Sequence, residues 1–390
     1  MAEPKKRKSH GLLFLLLVVL LVIFGYQQRE KLTEWFPVLA QFTETTKSKI
    51  TGLPSKPKAV ESVSDGKYAY SCLSDEDKLV YDQVYDAILN RKTNVPVSTL
   101  NSEALTQIYT CVMADYPGLF WVNGFAYETF TKSNVVTSMT FTPKFTMTED
   151  EQKSYQASVD SVVDGWLSDI SLEASDYDKA LFVFQKVIDK TTYNTESENN
   201  QNILSVFLNG ESVCQGYADS VSYLLQNLGI QSTVITGTAN GISHAWNLVY
   251  LDGAYYYIDA TWGDGYYTDA NIQKTANTNY AYLNTTTEHM NKTHTPDSIY
   301  QLPECTATQD NYFVKNGLYF TGFDGSAMGA IIQDAYQKGQ GSISMQFQDE
   351  NLYEKTKDYF LVKGNIRKYV SADKIQYLER REDLVLTINF

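Results

Sequence analysis

Polar and apolar positions divide the chain into three regimes. Residues 11–26, "GLLFLLLVVLLVIFGY", are apolar and hold no charge. Residues 27–66 are polar, and their last part, "TGLPSKPKAVESVSDG", mixes Pro, Ser, Gly and Lys with little apolar periodicity, which predicts a stalk and not a packed element. From residue 75 onward helical and strand periods alternate. "SDEDKLVYDQVYDAILN" offers Ser74 as an N-cap and sets Leu79, Val80, Val84, Ile88 and Leu89 at helical spacing. "SEALTQIYTCVMADYP" predicts a second helix ending before Pro117. "GLFWVNGFAYETF" and "VVTSMTFTPKF" are aromatic and β-branched and predict strands.

Two further helices are expected around 149–170 and 176–190, the second carrying Leu181, Phe184, Val187 and Ile188 on one face. "SVCQGYADSVSYLLQNLGI" spaces Ala218, Val221, Leu224, Leu225 and Leu228 helically, with Gly229 suited to the position just past its end. "STVITGT", "HAWNLVYL" and "AYYYIDAT" then read as strands, and the tail mixes the strands "YFVKNGLYFTGF", "SISMQFQ" and "LVLTINF" with one or two helices. Such layering predicts an α+β fold. The expected divisions are 1–10 (cytoplasmic), 11–26 (transmembrane anchor), 27–66 (stalk), 67–170 (accessory α+β region), 171–305 (core) and 306–390 (C-terminal α+β region).

Charge sharpens the N-terminal reading. The first 31 residues hold six Lys/Arg against Glu3 and Glu30, a net +4, leaving −18 of the total −14 to the rest. "KKRK" at 5–8 places the N-terminus in the cytoplasm and the remainder outside, at the cell membrane. The apolar run falls just short of the roughly 17–25 residues of a typical span. Nothing like a small-residue cleavage site follows it in "YQQREKL", which favours an uncleaved single-pass anchor over a removed signal. An acidic ectodomain excludes nucleic acid as a natural partner. Cys72, Cys111, Cys214 and Cys305 are too scattered for a disulfide framework or a CxxC zinc site, although Cys72 and Cys111 are free to oxidise outside a cell. The expectation is no metal and no cofactor.

Cys214 begins its helix, where unpaired N–H groups and the positive end of the macrodipole favour a thiolate and offer donors to an oxyanion. Taken alone it is as well read as a small buried hydrophobe. His244 changes that balance. The Asp252-Gly253 turn signal, taken as the two central residues of a hairpin, sets Leu251 opposite Ala254, Trp246 opposite Asp259 and His244 opposite Thr261. His244 and Asp259 then become diagonal neighbours on one face, and a Cys-His-Asp triad is the expected chemistry. Each residue also has a plainer role: a satisfied polar group for His244, a strand-end cap for Asp259.

"SVCQGYADSVSYLLQNLGIQSTVITG", "ISHAWNLVYLDGAYYYIDATWGD" and "HTPDSIYQLPECTATQDNY" resemble the bacterial transglutaminase-like proteins, whose superfamily shares its core with papain-like cysteine proteases. The resemblance spans about 176–305. It implies Cys214 as nucleophile, His244 as general base and acid, and Asp259 as the group that orients the imidazole. Tyr193, in "TTYN", falls where such proteins carry an oxyanion-hole Tyr, though Asn194 replaces the usual Asp. Gln215 stands where animal transglutaminases have Trp, which weakens any expectation of their calcium dependence; the backbone N–H of Cys214 or of Gln215 is the expected second oxyanion donor. Trp246 and Trp262 are expected to wall the site or pack the core. The implied activity is transamidation, deamidation or hydrolysis of a protein or peptide amide at the cell surface through a thioester. The alternative is a binding or adhesion module on the same fold.

Overall fold

The computed structural model describes residues 43–44, 54–265 and 278–390. The predicted anchor at 11–26, and the stalk as far as residue 53 except for 43–44, lie outside the described residues. Among the described residues no helix is long and apolar enough to cross a membrane.

In chain order the main elements are β1 (Thr43–Glu44), α1 (Tyr68–Ser71), α2 (Asp75–Leu89), β2 (Val95–Val97), α3 (Ser102–Asp115), β3 (Val122–Lys132) and β4 (Val135–Phe145). There follow α4 (Glu149–Leu167), α5 (Asp176–Lys190), β5 (Thr192–Tyr193), β6 (Glu211–Ser212), α6 (Cys214–Asn227), β7 (Ser232–Ala239), β8 (Ile242–Leu251), β9 (Ala254–Ile258) and α7 (Ala260–Gly263). Last come α8 (Thr287–Met290), β10 (His294–Pro296), α9 (Tyr312–Lys315), β11 (Tyr319–Phe320), α10 (Gly325–Gln337), β12 (Ser342–Phe347), α11 (Glu350–Lys357), β13 (Gln376–Arg380) and β14 (Val385–Asn389).

The chain forms two compact units. One comprises the described parts of Met1–Ala59 with Gln83–Ser102 and Trp121–Thr146. It is a four-stranded sheet in the order β1-β3-β4-β2. Ser133 and Asn134, at φ 52° and 62°, make the tight β3–β4 turn. Phe125 and Phe141 pack 5.1 Å apart in its core.

The other unit comprises Val60–Asp82, Glu103–Phe120 and Met147–Phe390. Its central antiparallel sheet runs β10-β7-β8-β9. Ala218 of α6 packs on Val234 and Ala245, while Ile235, Trp246, Leu248 and Tyr257 form a separate buried cluster. A second sheet, β11-β12-β14-β13, buries Met345, Phe347, Leu386 and Ile388 with Met328 and Ile332 of α10.

Most periodicities give the expected elements, and the exceptions have local causes. Leu89, read as a core position, is 47% exposed in the last turn of α2, whereas Val80, Val84 and Ile88 are buried. "YFVKNGLYFTGF" is not one strand. Asn311 caps Phe313 and Val314 through its side chain, starts α9, and leaves only Tyr319–Phe320 extended. The hairpin turn is as expected, with Asp252 and Gly253 at φ 48° and 88° and Leu251 opposite Ala254. The ladder stops at Asn247 opposite Ile258, so the expected Trp246–Asp259 and His244–Thr261 pairs do not form. Asp259 instead caps α7, accepting from Trp262 N–H, and Thr261 is helical.

Gly216 sits in the first turn of α6 against a buried pair of hydroxyls, Ser205 Oγ and Ser212 Oγ, 2.7 Å apart. A Cβ there would lie 2.1 Å from Ser212 Oγ and 2.9 Å from Ser205 Oγ. Alanine recovers about 1 kcal/mol of helix propensity, but overpacking costs about 1–3 kcal/mol, and at this separation overpacking wins. Gly216→Ala is expected to lower the unfolding free energy by about 1–2 kcal/mol in a denaturant titration.

Candidate active site

Cys214 is the first residue of α6 and half-buried. Its N-cap neighbour Val213 has no side-chain oxygen, so no capping side chain there competes for the first-turn N–H groups. α6 is fixed against β8 by Asn247, whose Nδ2 donates to Ala218 O at 2.8 Å and Ser222 Oγ at 2.9 Å. A second tie is Tyr217 O–H donating to Asp264 Oδ2 at 2.9 Å, which joins the cysteine helix to the residue just past α7.

His244 lies near the start of β8, buried, with its Nε2 2.7 Å from Asp259 Oδ2. The Asp259 backbone N–H donates to Tyr282 O at 3.0 Å, so both ends of the residue are held. Burial alone would raise the Asp259 pKa, but the charge and hydrogen bond of His244, with a second hydrogen bond from His294, hold it well below the usual carboxylate range. A carboxylate only accepts, so the bridging proton resides on His244 Nε2, and the Cys214 side chain is near enough to add to the upward pull on the imidazole. Desolvation opposes a charged imidazole, yet Asp259 outweighs it and pushes the His244 pKa up to about 10.

The structure thus brings together His244 and Asp259, the two residues expected from the hairpin argument, and sets Cys214, expected from its place at the helix start, near the imidazole. The secondary candidates divide. Trp246 is buried and stacks on the His244 ring at 6.0 Å and 20°, so it packs the imidazole. Trp262 approaches the same ring at 6.3 Å. Gln215 directs its Nε2 at Asp219 Oδ1, 2.9 Å away, and its side chain is spent along the helix. Tyr193 pairs with Ser212 through the parallel β5–β6 contact, two residues before Cys214, and its ring lies 6.4 Å from that of Tyr217.

Three participants escape the sequence reading. His294 Nε2 lies 3.0 Å from the same Asp259 Oδ2 that His244 uses. Asn247 and the Tyr217–Asp264 pair hold the helix that Cys214 opens. All of them had a visible signal, since Tyr217, Asn247, Asp264 and His294 stand inside the quoted motifs, His294 as the first residue of the third; what the sequence did not carry is which side chain each would meet. Tyr217→Phe is expected to cost about 1.5–3 kcal/mol, because it removes a hydrogen bond from a buried carboxylate. A shift in the denaturation midpoint without a change in slope would register it.

Residues 165–260 match the transglutaminase-like superfamily. The chain carries a transglutaminase-like domain. The fold around it is α+β, with Cys214 at a helix N-terminus and His244 on an antiparallel strand. Among characterised proteins, the mouse kyphoscoliosis peptidase (Mus musculus) is 25% identical over 128 residues, 28% of this chain and 19% of the relative. The human kyphoscoliosis peptidase (Homo sapiens) is 33% identical over 64 residues, 13% of this chain and 10% of the relative. The chain therefore spans a fifth or less of the length of these relatives. Among solved structures, a crystal structure of a TGase is 16% identical, covering 39% of this chain and 54% of that one at a TM-score of 0.28. A cysteine protease structure from Cytophaga hutchinsonii is 18% identical, covering 35% and 62% at a TM-score of 0.24.

Proposed function

We propose that this chain is a cysteine acyl-transfer enzyme acting on a protein or peptide amide outside the cytoplasm. The observation that carries the chemistry is the buried 2.7 Å contact between His244 and Asp259, made beside a cysteine at a helix N-terminus. Cys214 sulfur attacks the amide carbonyl carbon, and the first-turn N–H groups of α6 offer backbone donors to the resulting oxyanion. The C–N bond breaks, and the His244 Nδ1 proton leaves with ammonia or the amine. The thioester then passes its acyl group to water, giving an acid, or to a primary amine such as Lys, giving a new amide, and the thiol is restored. Asp259 keeps the ring in the tautomer and orientation both proton transfers use.

The extracytoplasmic part of the proposal is supported by sequence: the basic 5–8 cluster, the apolar 11–26 run and the acidic remainder. Surface proteolysis of intact cells tests it; cleavage of the domain only after lysis would overturn it. The chemistry is tested by incubating the protein with a Gln-containing protein and a labelled primary amine. Mass spectrometry then separates incorporation, deamidation and chain cleavage. Binding without any of these products would favour a non-catalytic module instead.

A further inference from the structure

Asp259 serves two histidines, and the acyl-transfer chemistry above uses only one of them. We infer that His294 is a positioning residue, whose Nε2–H pins Asp259 Oδ2 against His244 and which acts on Cys214 only through that carboxylate. This inference rests on the acyl-transfer reading.

His294 is recruited from a different strand and 35 residues beyond Asp259. The three-residue β10 pairs with β7, setting His294 opposite Ala239 and Pro296 opposite Gly237. Gly237 permits the approach: a Cβ there would lie 2.2 Å from Thr295 O and 2.9 Å from Trp246 Cη2. The imidazole is buried, with Trp262 at 4.9 Å, Trp246 edge-on at 5.1 Å and Tyr282 at 6.0 Å. Thr293 Oγ1 lies 2.8 Å from Nδ1. The carboxylate on the other side can only accept, so a ring proton lies on Nε2, facing Asp259 Oδ2. Every side of the ring is thus specified, beyond what filling space requires.

The charged and titratable groups that face Asp259 are His244, His294 and, more distantly, the Tyr282 hydroxyl, which also faces Asp383. Asp383 in turn pairs with His289 at 3.4 Å. His244, Asp259 and His294 place one ligand atom each within 4.8 Å of the others, a spread that a metal site also shows. The two N···O separations, 2.7 and 3.0 Å, are hydrogen-bond lengths. Ligand atoms tetrahedrally arranged around zinc at about 2.0–2.2 Å stand roughly 3.3 Å apart, so the contacts are those of shared protons.

The test needs no substrate. The rate of Cys214 alkylation by iodoacetamide is measured against pH on the full chain in detergent, by peptide mapping, for wild type, His244→Ala, His294→Leu and His294→Gln. Gln keeps an N–H near the place of Nε2, and Leu removes it. His294→Leu is expected to slow alkylation at pH 6 by on the order of tenfold and to move the acid limb of the profile upward. His294→Gln is expected to stay within about threefold of wild type. A purely structural role would lower thermal stability in both variants and leave the acid limb in place. If the Leu variant does not fold, His294→Asn, whose amide falls short of Asp259, takes its part. A wild-type profile in the Leu or Asn variant, or a Gln variant as impaired as Leu, overturns the inference. Enhanced reactivity lost in His244→Ala but kept in His294→Leu sinks this inference alone. A wild-type Cys214 no faster than a model thiol sinks the acyl-transfer reading with it.

Discussion

Cys214→Ser is expected to lower the rate of product formation in the labelled-amine assay by at least about 10⁴-fold while leaving the unfolding free energy within about 0.5 kcal/mol of wild type. The hydroxyl is nearly isosteric at a half-buried position, so stability has little reason to change. The rate does, because serine must lose its proton in the transition state from a group far less acidic than a thiol, and His244 is placed to receive a thiol proton. A His244 whose pKa is raised to about 10 spends most of its time protonated near neutral pH. A protonated ring is a poor base toward serine. Retained product formation in the serine variant, measured by mass spectrometry of the same peptides, would remove Cys214 from the chemistry.

Cys111 and Cys305 make the contrast within the same chain. Both are buried, and burial raises their thiol pKa, that of Cys305 to about 11. The sequence offers four cysteines of equal standing until helix position separates them. Cys214 is distinguished by an apolar helical face that begins right after it, and this pattern is readable because Ala218, Val221, Leu224 and Leu225 are all buried. The His244–Asp259 pair is readable because an Asp-Gly turn fixes register over a short distance.

What local pattern does not carry is where a strand stops. Nothing in "AYYYIDAT" marks Ile258 as the last paired residue, and the change at Asp259 depends on its own carboxylate capping the next turn. The pair meets even though the ladder ends early, since the cap leaves Oδ2 free for His244 while Oδ1 takes Trp262 N–H. His294 is harder still to read. A three-residue strand has no period to detect, and its placement follows from a pairing with β7 that spans 55 residues from Ala239 to His294.

Asp259→Ala is expected to reduce the unfolding free energy by about 3–5 kcal/mol near pH 6 and catalysis by about 10³–10⁴-fold. The stability loss is large because the carboxylate is buried and accepts from His244 Nε2, His294 Nε2 and Trp262 N–H together. Its removal leaves those donors without their acceptor in a dry site. The size of the loss depends on pH in a direction set by both partners. Asp259 has a folded pKa below its unfolded value, so its contribution is present above about pH 4 and fades as pH falls further. His244 has a folded pKa above its unfolded value, so its contribution is full below about pH 6.5 and is lost as pH rises through about 10. The two windows overlap between about pH 4 and 6.5, where the ion pair contributes most. Urea titrations of wild type and variant at pH 5.5, 8 and 10 should therefore show a difference that shrinks steadily toward alkaline pH. A difference that stays flat from pH 5.5 to 10 would mean that His244 is neutral in the resting site and that Asp259 holds it as a tautomer only.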